Sequence, residues 1–331
     1  MCLSLVGSEM CIRDRLKNGK NETFLRFVKD ASKITPILKD LLSAYVLMGQ
    51  GDEVNANLIF DKTAKVQGMG YFANFHRAMA QLSASKFDSA KETFDLIHND
   101  QANPTRRSVI YHAKILIFQE QFNEAYNLIE KWFGPTYDPE IDELLSNISG
   151  KKVYPKNSFP KINIAVADVF HSIANLISKE ADPTFTLIYS RLAQYLDDTH
   201  VDSTLMTAEL LVELGQHKLA IRDHEKLSKS QPQFFASELG RAEALRSSGK
   251  EMEAIEVLAE LTDQYPNSAS GFNTLGNHYR RLESYDKAET AYGKAIQIYE
   301  ADGEAGWFLY YVRGITRERL DFWSLAEKDF R

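Results

Sequence analysis

Phe272-Asn273-Thr274-Leu275-Gly276-Asn277-His278-Tyr279, followed after a turn by Ala288-Glu289-Thr290-Ala291-Tyr292-Gly293-Lys294-Ala295, decides the fold of this chain. Phe272, Leu275, Gly276 and Tyr279 stand at i, i+3, i+4 and i+7, the spacing of one face of a helix. Ala288, Tyr292 and Ala295 repeat that spacing on a second helix, after a turn around Glu283 to Tyr285. Two helices this short bury one stripe each and are marginal alone, so the pair has to stack on neighbours. Gly276 and Ala288 mark the helix crossing, where a side chain larger than methyl would push the axes beyond roughly 8–10 Å.

The same columns recur along the chain. Ala220, Ala254 and Ala288 stand 34 residues apart, and Pro232 and Pro266 keep that interval. One unit upstream of the first, Ala242, Leu245, Gly249, Ala254, Leu258 and Leu261 occupy the pattern. A further unit back, Ala208, Leu211, Gly215, Ala220 and Leu227 do so, with His224 in the large-residue column. Phe170, Ile173, Ala174, Ile177 and Ala193 form another unit, with Thr186 in place of alanine. Near the N-terminus Ala56, Ala90 and Ala125 are accompanied by Ala44 and Phe60, Ala78 and Phe94, and Ala113 and Ile129. Downstream, Tyr310, Gly314, Ala326 and Phe330 begin a last unit. Self-similarity at this period is the signature of a repeat array.

The pattern resembles the tetratricopeptide repeat (TPR), in the manner of large bacterial multi-repeat members. The resemblance implies an all-α, right-handed superhelical solenoid of antiparallel helix pairs, with about eight units running from Thr35 onward. It also implies that first helices line a concave side that binds a protein or peptide, and that such a region is a non-catalytic interaction scaffold. An accessory array of an enzyme is the alternative. Envelope or periplasmic location goes with the bacterial resemblance, cytoplasm being the other possibility. RNA binding of the pentatricopeptide kind suits neither the 34-residue interval nor the net charge of −7.

Four segments are expected. Residues 1–15, MCLSLVGSEMCIRDR, have no helical period and look like a translated sequencing adapter. Residues 16–133 hold about three repeats. Residues 134–165 carry Pro135, Pro139, Pro155 and Pro160 and read as an irregular connector. Residues 166–331 hold about four and a half repeats. Both cysteines, Cys2 and Cys11, fall in the first segment, which leaves the repeats without disulfides or thiolate sites. No polar capping helix is visible at the end, so the chain is expected to be a piece truncated on both sides. No apolar run of about 18 residues is present to span a bilayer.

No catalytic motif, cofactor site or metal site emerges. His217 and His224 lie seven residues apart without the i, i+4 spacing and third ligand that a metal wants. Gly49-Gln50-Gly51 and Gly68-Met69-Gly70 fall in turns of the array with no preceding strand, unlike a dinucleotide loop. Pairs such as Glu209 with Glu213 read as solvated helix surface.

The candidate partner-binding groove divides by composition. Its N-terminal part is apolar: Leu41, Tyr45, Phe72, Phe75, Met79 and Ile110, with Lys114 as the charge. Its C-terminal part is polar, running from Asp168, His171 and Asp202 to Glu209, Glu243, Arg246, Asn273, Asn277, Arg280 and Arg281. The apolar stripe has two readings. It is either a groove for apolar anchors or internal packing, covered by a tight superhelical turn, by N-terminal residues, or by the connector with Tyr154 and Phe159 folded back.

Overall fold

The structure, a computed structural model, describes residues 35–100, 104–134, 138–302 and 306–331. The adapter-like segment 1–15 lies outside the described residues. Among those described there are 17 α-helices, one short 3-10 turn and no strand. Eight sequential pairs match the eight units read from the sequence. They are α1 (Pro36–Gly49) with α2 (Glu53–Ala64), α3 (Gly70–Ser83) with α4 (Phe87–Asp100), and α5 (Arg106–Phe118) with α6 (Phe122–Phe133). After the single helix α7 (Pro139–Ser149) come α8 (Ile162–Ile177) with α9 (Pro183–Leu196) and α10 (Val201–Glu213) with α11 (His217–His224). The last three pairs are α12 (Phe234–Ser247) with α13 (Glu251–Gln264), α14 (Ala269–Arg281) with α15 (Tyr285–Asp302), and α16 (Trp307–Arg319) with α17 (Trp323–Phe330).

Local chemistry sets the helix ends. Thr35 caps α1, its Oγ1 accepting from the Leu38 N–H at 3.4 Å, with Pro36 in the first turn where its missing donor is harmless. Asp182 and Pro183 repeat that arrangement at α9, and Ser268 caps α14 through the Gly271 N–H at 3.2 Å. Gly215 and Gly249 take φ of 70° and 82° in the turns that link first to second helices, a backbone that side chains disfavour.

The repeat columns explain the packing. Ala44, Ala78, Ala113, Ala208 and Ala242 on first helices, and Ala56, Ala90, Ala125, Ala220, Ala254, Ala288 and Ala326 on second helices, are all buried, as are Gly276, Gly314, Leu275 and Ala295. Thr186 is fully buried in the column where it replaces alanine. His224 packs as a core residue: its ring lies over Gly240, and its Nδ1 is 3.1 Å from the Ser237 hydroxyl.

The described helices form two compact units. The first takes in α1 to α6 together with residues Glu143–Met206, hence α8 and α9, and the second runs from Thr207 to the end with the start of α7. One boundary therefore falls inside α10, and the start of α7, within the 134–165 stretch read as a joint, groups with the second unit while α8 and α9 stay with the first. The physical reason is that α8 packs back on α1 and α3. Ile162 sits so close to Gly49 that a Cβ there would meet it at 3.0 Å. Phe159 of the connector joins Phe87 and Phe118, with ring centroids 5.3 and 5.5 Å away. Val166, Val169, Phe170 and Ala174 of α8 share one core with Leu41, Tyr45, Phe75 and Met79.

In the second unit, one core gathers Phe234, Phe235, Leu245, Leu258 and Leu261 around α12 and α13. A further core gathers Tyr292, Ala295, Ile296, Leu309 and Val312 around α15 and α16.

Candidate functional site

First helices of successive repeats present one face each, and the two units treat that face differently. In the first unit it is closed. Leu41, Tyr45, Phe75, Met79 and Ile110, read as lining a groove, are all buried, Phe75 at 5% exposure. Phe72 and Lys114 are half-buried, the one against the His76 ring at 4.7 Å and the other over the Tyr111 ring at 5.7 Å. The stripe is internal packing, and over Leu41, Tyr45, Phe75 and Met79 its cover is α8, in one core with Phe159. Apolar surface of this extent is stabilised by covering it, and a helix of the same chain is available to do so.

The polar residues assigned to the groove after the connector are also drawn inward. Asp168 and His171 of α8 are buried and Asp202 is half-buried. Arg107 of α5 joins them: its Nη2 forms an ion pair with Asp168 Oδ1 at 2.6 Å, and its Nη1 donates to Asp202. Asp168 also receives His200 Nε2 at 3.2 Å. Burial alone would raise the Asp168 carboxyl, but Arg107 and the His200 hydrogen bond outweigh it and hold it well below the usual carboxylate range. Beside this cluster the Tyr45 hydroxyl lies 3.1 Å from His76 Nδ1, and burial lowers His76 to about 4 and His171 to about 4. Arg107 was missed in the sequence because its partners lie far along the chain. Its one signal is a cation in the first turn of a helix rich in apolar residues.

Ser203, His200 and Asp168 have the connectivity of a nucleophile, a base and an orienting acid, with Ser203 Oγ 3.0 Å from His200 Nδ1. The same Nδ1 accepts the backbone N–H of Ser203 at 3.1 Å, so His200 serves as a cap at the start of α10. Ser203 is fully buried, which leaves no place for a reacting carbonyl. The arrangement is structural. Among the described residues no group of three or more His, Cys, Asp or Glu is placed to hold a metal, and no helix is long and apolar enough to cross a membrane.

In the second unit the first-helix face is accessible. On α12, Glu243 is exposed and forms an ion pair with Arg246. On α14, Asn273, Asn277 and Arg280 are half-buried and Arg281 is exposed. Tyr292 anchors two of these, its hydroxyl donating to Asn277 Oδ1 at 2.8 Å and accepting from Arg280 Nε at 3.3 Å. Asn273, Asn277 and Arg280 are thus the three groove residues of the sequence reading that share one face of one helix. On α16 the face continues in Phe308 and Tyr311, both about half exposed, beside Trp307 at 75% exposure. Of this aromatic end, missed in the sequence, Trp307 and Tyr311 line an open pocket of about 790 Å³ with Tyr310, Lys328 and Phe330.

Comparison with known proteins agrees with the repeat columns. A family model described as "Psidin, N-terminal TPR repeats region" matches residues 210–319. Among solved structures, a tetratricopeptide repeat protein from Parabacteroides merdae is 16% identical, with 80% of this chain and 91% of that chain covered and a TM-score of 0.40. MamA from Desulfovibrio magneticus is 20% identical over 50% of this chain and 90% of its own, with a TM-score of 0.41. Yeast Tom70 is 14% identical over 97% of this chain and 84% of its own, with a TM-score of 0.42. No curated protein sequence matches significantly.

Proposed function

We propose that this chain, a tetratricopeptide-repeat protein, is a non-catalytic interaction scaffold whose partner-binding surface is the first-helix face of its second unit. TPR regions generally bind proteins. The observation that carries the finer reading is the contrast between the two units: α8 fills the face of the first, while the side chains along α12 and α14 of the second stay within reach of solvent. Glu243, Arg246, Asn273, Asn277, Arg280 and Arg281 offer donors and acceptors in a row, and Phe308 and Tyr311 add apolar area at one end. A peptide or partner segment with polar groups leading to an apolar anchor fits such a surface.

Site-directed photocrosslinking tests the reading. A photoreactive side chain placed at Asn273, Arg281 or Tyr311 of the full chain is expected to trap a common partner from native extract. The same group at Lys294, on the exposed face of α15, is not. Trapping from Lys294 but from none of the other three would remove the case for this surface. A charge reversal at the exposed position, Arg281→Glu, should reduce capture at least tenfold while leaving the melt unchanged.

A further inference from the structure

A second buried polar cluster in the first unit has no part in the proposed interaction surface. His98 near the end of α4 and His112 in the middle of α5 face each other, Nδ1 to Nδ1, at 2.8 Å, with ring centroids 4.9 Å apart. Both are buried. At the far ends, His98 Nε2 lies 3.1 Å from the Ser108 hydroxyl, and His112 Nε2 lies 3.2 Å from Asp95 Oδ1 without a hydrogen-bond geometry. Phe94 stacks on His112, with centroids 5.6 Å apart and planes 13° from parallel.

Protons can be counted along this chain. The Ser108 hydroxyl donates to the Thr105 carbonyl at 2.8 Å and accepts from the Tyr71 hydroxyl at 2.8 Å. His98 Nε2 is then the donor to Ser108, which makes His98 Nδ1 the acceptor and His112 Nδ1 the donor of the central bond. His112 Nε2 is left bare before Asp95, in keeping with its lack of a hydrogen bond. One added proton fits at that nitrogen, between the ring and the carboxylate. A second has only His98 Nδ1 to go to, and it would set two N–H groups head-on across 2.8 Å.

We propose that the His98–His112 contact is a proton-operated latch between the second and third repeats: a single proton bridging the two Nδ1 atoms holds α5 to α4, and full protonation of both rings drives them apart and loosens the third repeat. The groups facing the pair are Lys91 and Asp95 of α4, which pair with each other at 2.7 Å, Ser108 of α5 and Lys131 of α6. Asp95 favours a charged pair, while Lys91 and Lys131 oppose it. Burial is the larger effect on both rings, lowering His98 to about 4 and His112 to about 3. A released ring titrates near its ordinary value of about 6.5. Acid therefore favours the open joint, by up to about 100-fold per pH unit for two protons, between roughly pH 6 and 4.

Trp132 of α6 supplies the readout, since the other two tryptophans, Trp307 and Trp323, lie in the second unit. In the full chain carrying Trp307→Phe and Trp323→Phe, acidification from pH 7 to 3.5 is expected to give a reversible change in Trp132 fluorescence with a two-proton steepness. His112→Phe keeps a ring stacked on Phe94 but takes no proton, and it should abolish the change above pH 4. An unchanged transition in His112→Phe overturns the latch and assigns the acid response to the other buried histidines. Should that variant lose its helical circular dichroism at pH 7, histidine nitrogen NMR of the unsubstituted chain decides. A scalar coupling across Nδ1–H···Nδ1 at pH 7 that vanishes with the Trp132 change is expected, and its absence at pH 7 overturns the proposal.

Discussion

Gly276→Ala pits two effects of known sign against each other. Alanine in a helix interior is favoured over glycine by about 1 kcal/mol. Against it, a Cβ on Gly276 would stand 2.8 Å from two carbons of the Tyr292 ring. That ring is fully buried and tethered, with its hydroxyl bonded to Asn277 Oδ1 at 2.8 Å and Arg280 Nε at 3.3 Å. A ring that cannot turn away makes this overpacking, which costs about 1–3 kcal/mol. The net expectation is a loss of about 1 kcal/mol, the middle of the difference between the two effects. Gly314→Ala is the control, because its Cβ would come still closer to a ring, 2.5 Å from Phe330. Phe330 is half exposed and can swing outward, so there the helix preference should prevail and the change should be neutral or stabilising. The order of the two variants is thus opposite to the order of their nominal clashes. Urea unfolding in a Trp132→Phe background, where Trp307 and Trp323 report on the second unit, measures both. Tyr292→Leu should remove the penalty of Gly276→Ala in a double-mutant cycle. The reasoning fails if Gly276→Ala is as stable as the parent chain, or if Gly314→Ala loses as much.

Three other outcomes are expected. Ala254→Leu, at a fully buried column, should cost about 1–3 kcal/mol in urea melts, whereas Glu253→Ala, at an exposed position, should stay within about 0.5 kcal/mol; equal effects would contradict the assigned register. Phe75→Ala should cost about 3–5 kcal/mol as a buried truncation, and a variant that melts with the parent would reopen the first unit's face as a groove. His76 and His171 are lowered to about 4 by burial, so their folded values lie below the unfolded value. The stability tied to their neutral forms is complete above about pH 6.5 and is lost as the pH falls toward 4; a first-unit melting temperature that does not move across that range would refute the sign.

What the sequence makes legible is whatever the neighbouring helix of the same pair decides. Ala254 must be small because α12 crosses it, Gly276 because Tyr292 lies over it, and His224 can stand in a large-residue column because Gly240 makes room for its ring. These constraints repeat every 34 residues and can be read from spacing alone. The fate of the first-helix face is of another kind. Leu41, Tyr45, Phe75, Met79 and Ile110 show that this face needs covering, yet nothing in their spacing says which segment covers it. The cover, α8, occupies the same column in its own repeat as α12 and α14 do in theirs, and it differs by turning back onto α1 and α3. A polar interruption of α8, Asp168, meets a cation of α5, Arg107, 61 positions earlier in the numbering. Breaking one partner of such a buried pair costs about 3–5 kcal/mol, because the other charge is left stranded. Asp168→Asn should therefore destabilise the first unit by about that much, although Arg107 keeps Asp202. If instead the change is nearly silent in the melt of the first unit, Asp202 alone compensates Arg107, and the return of α8 is held by its apolar residues and not by the ion pair.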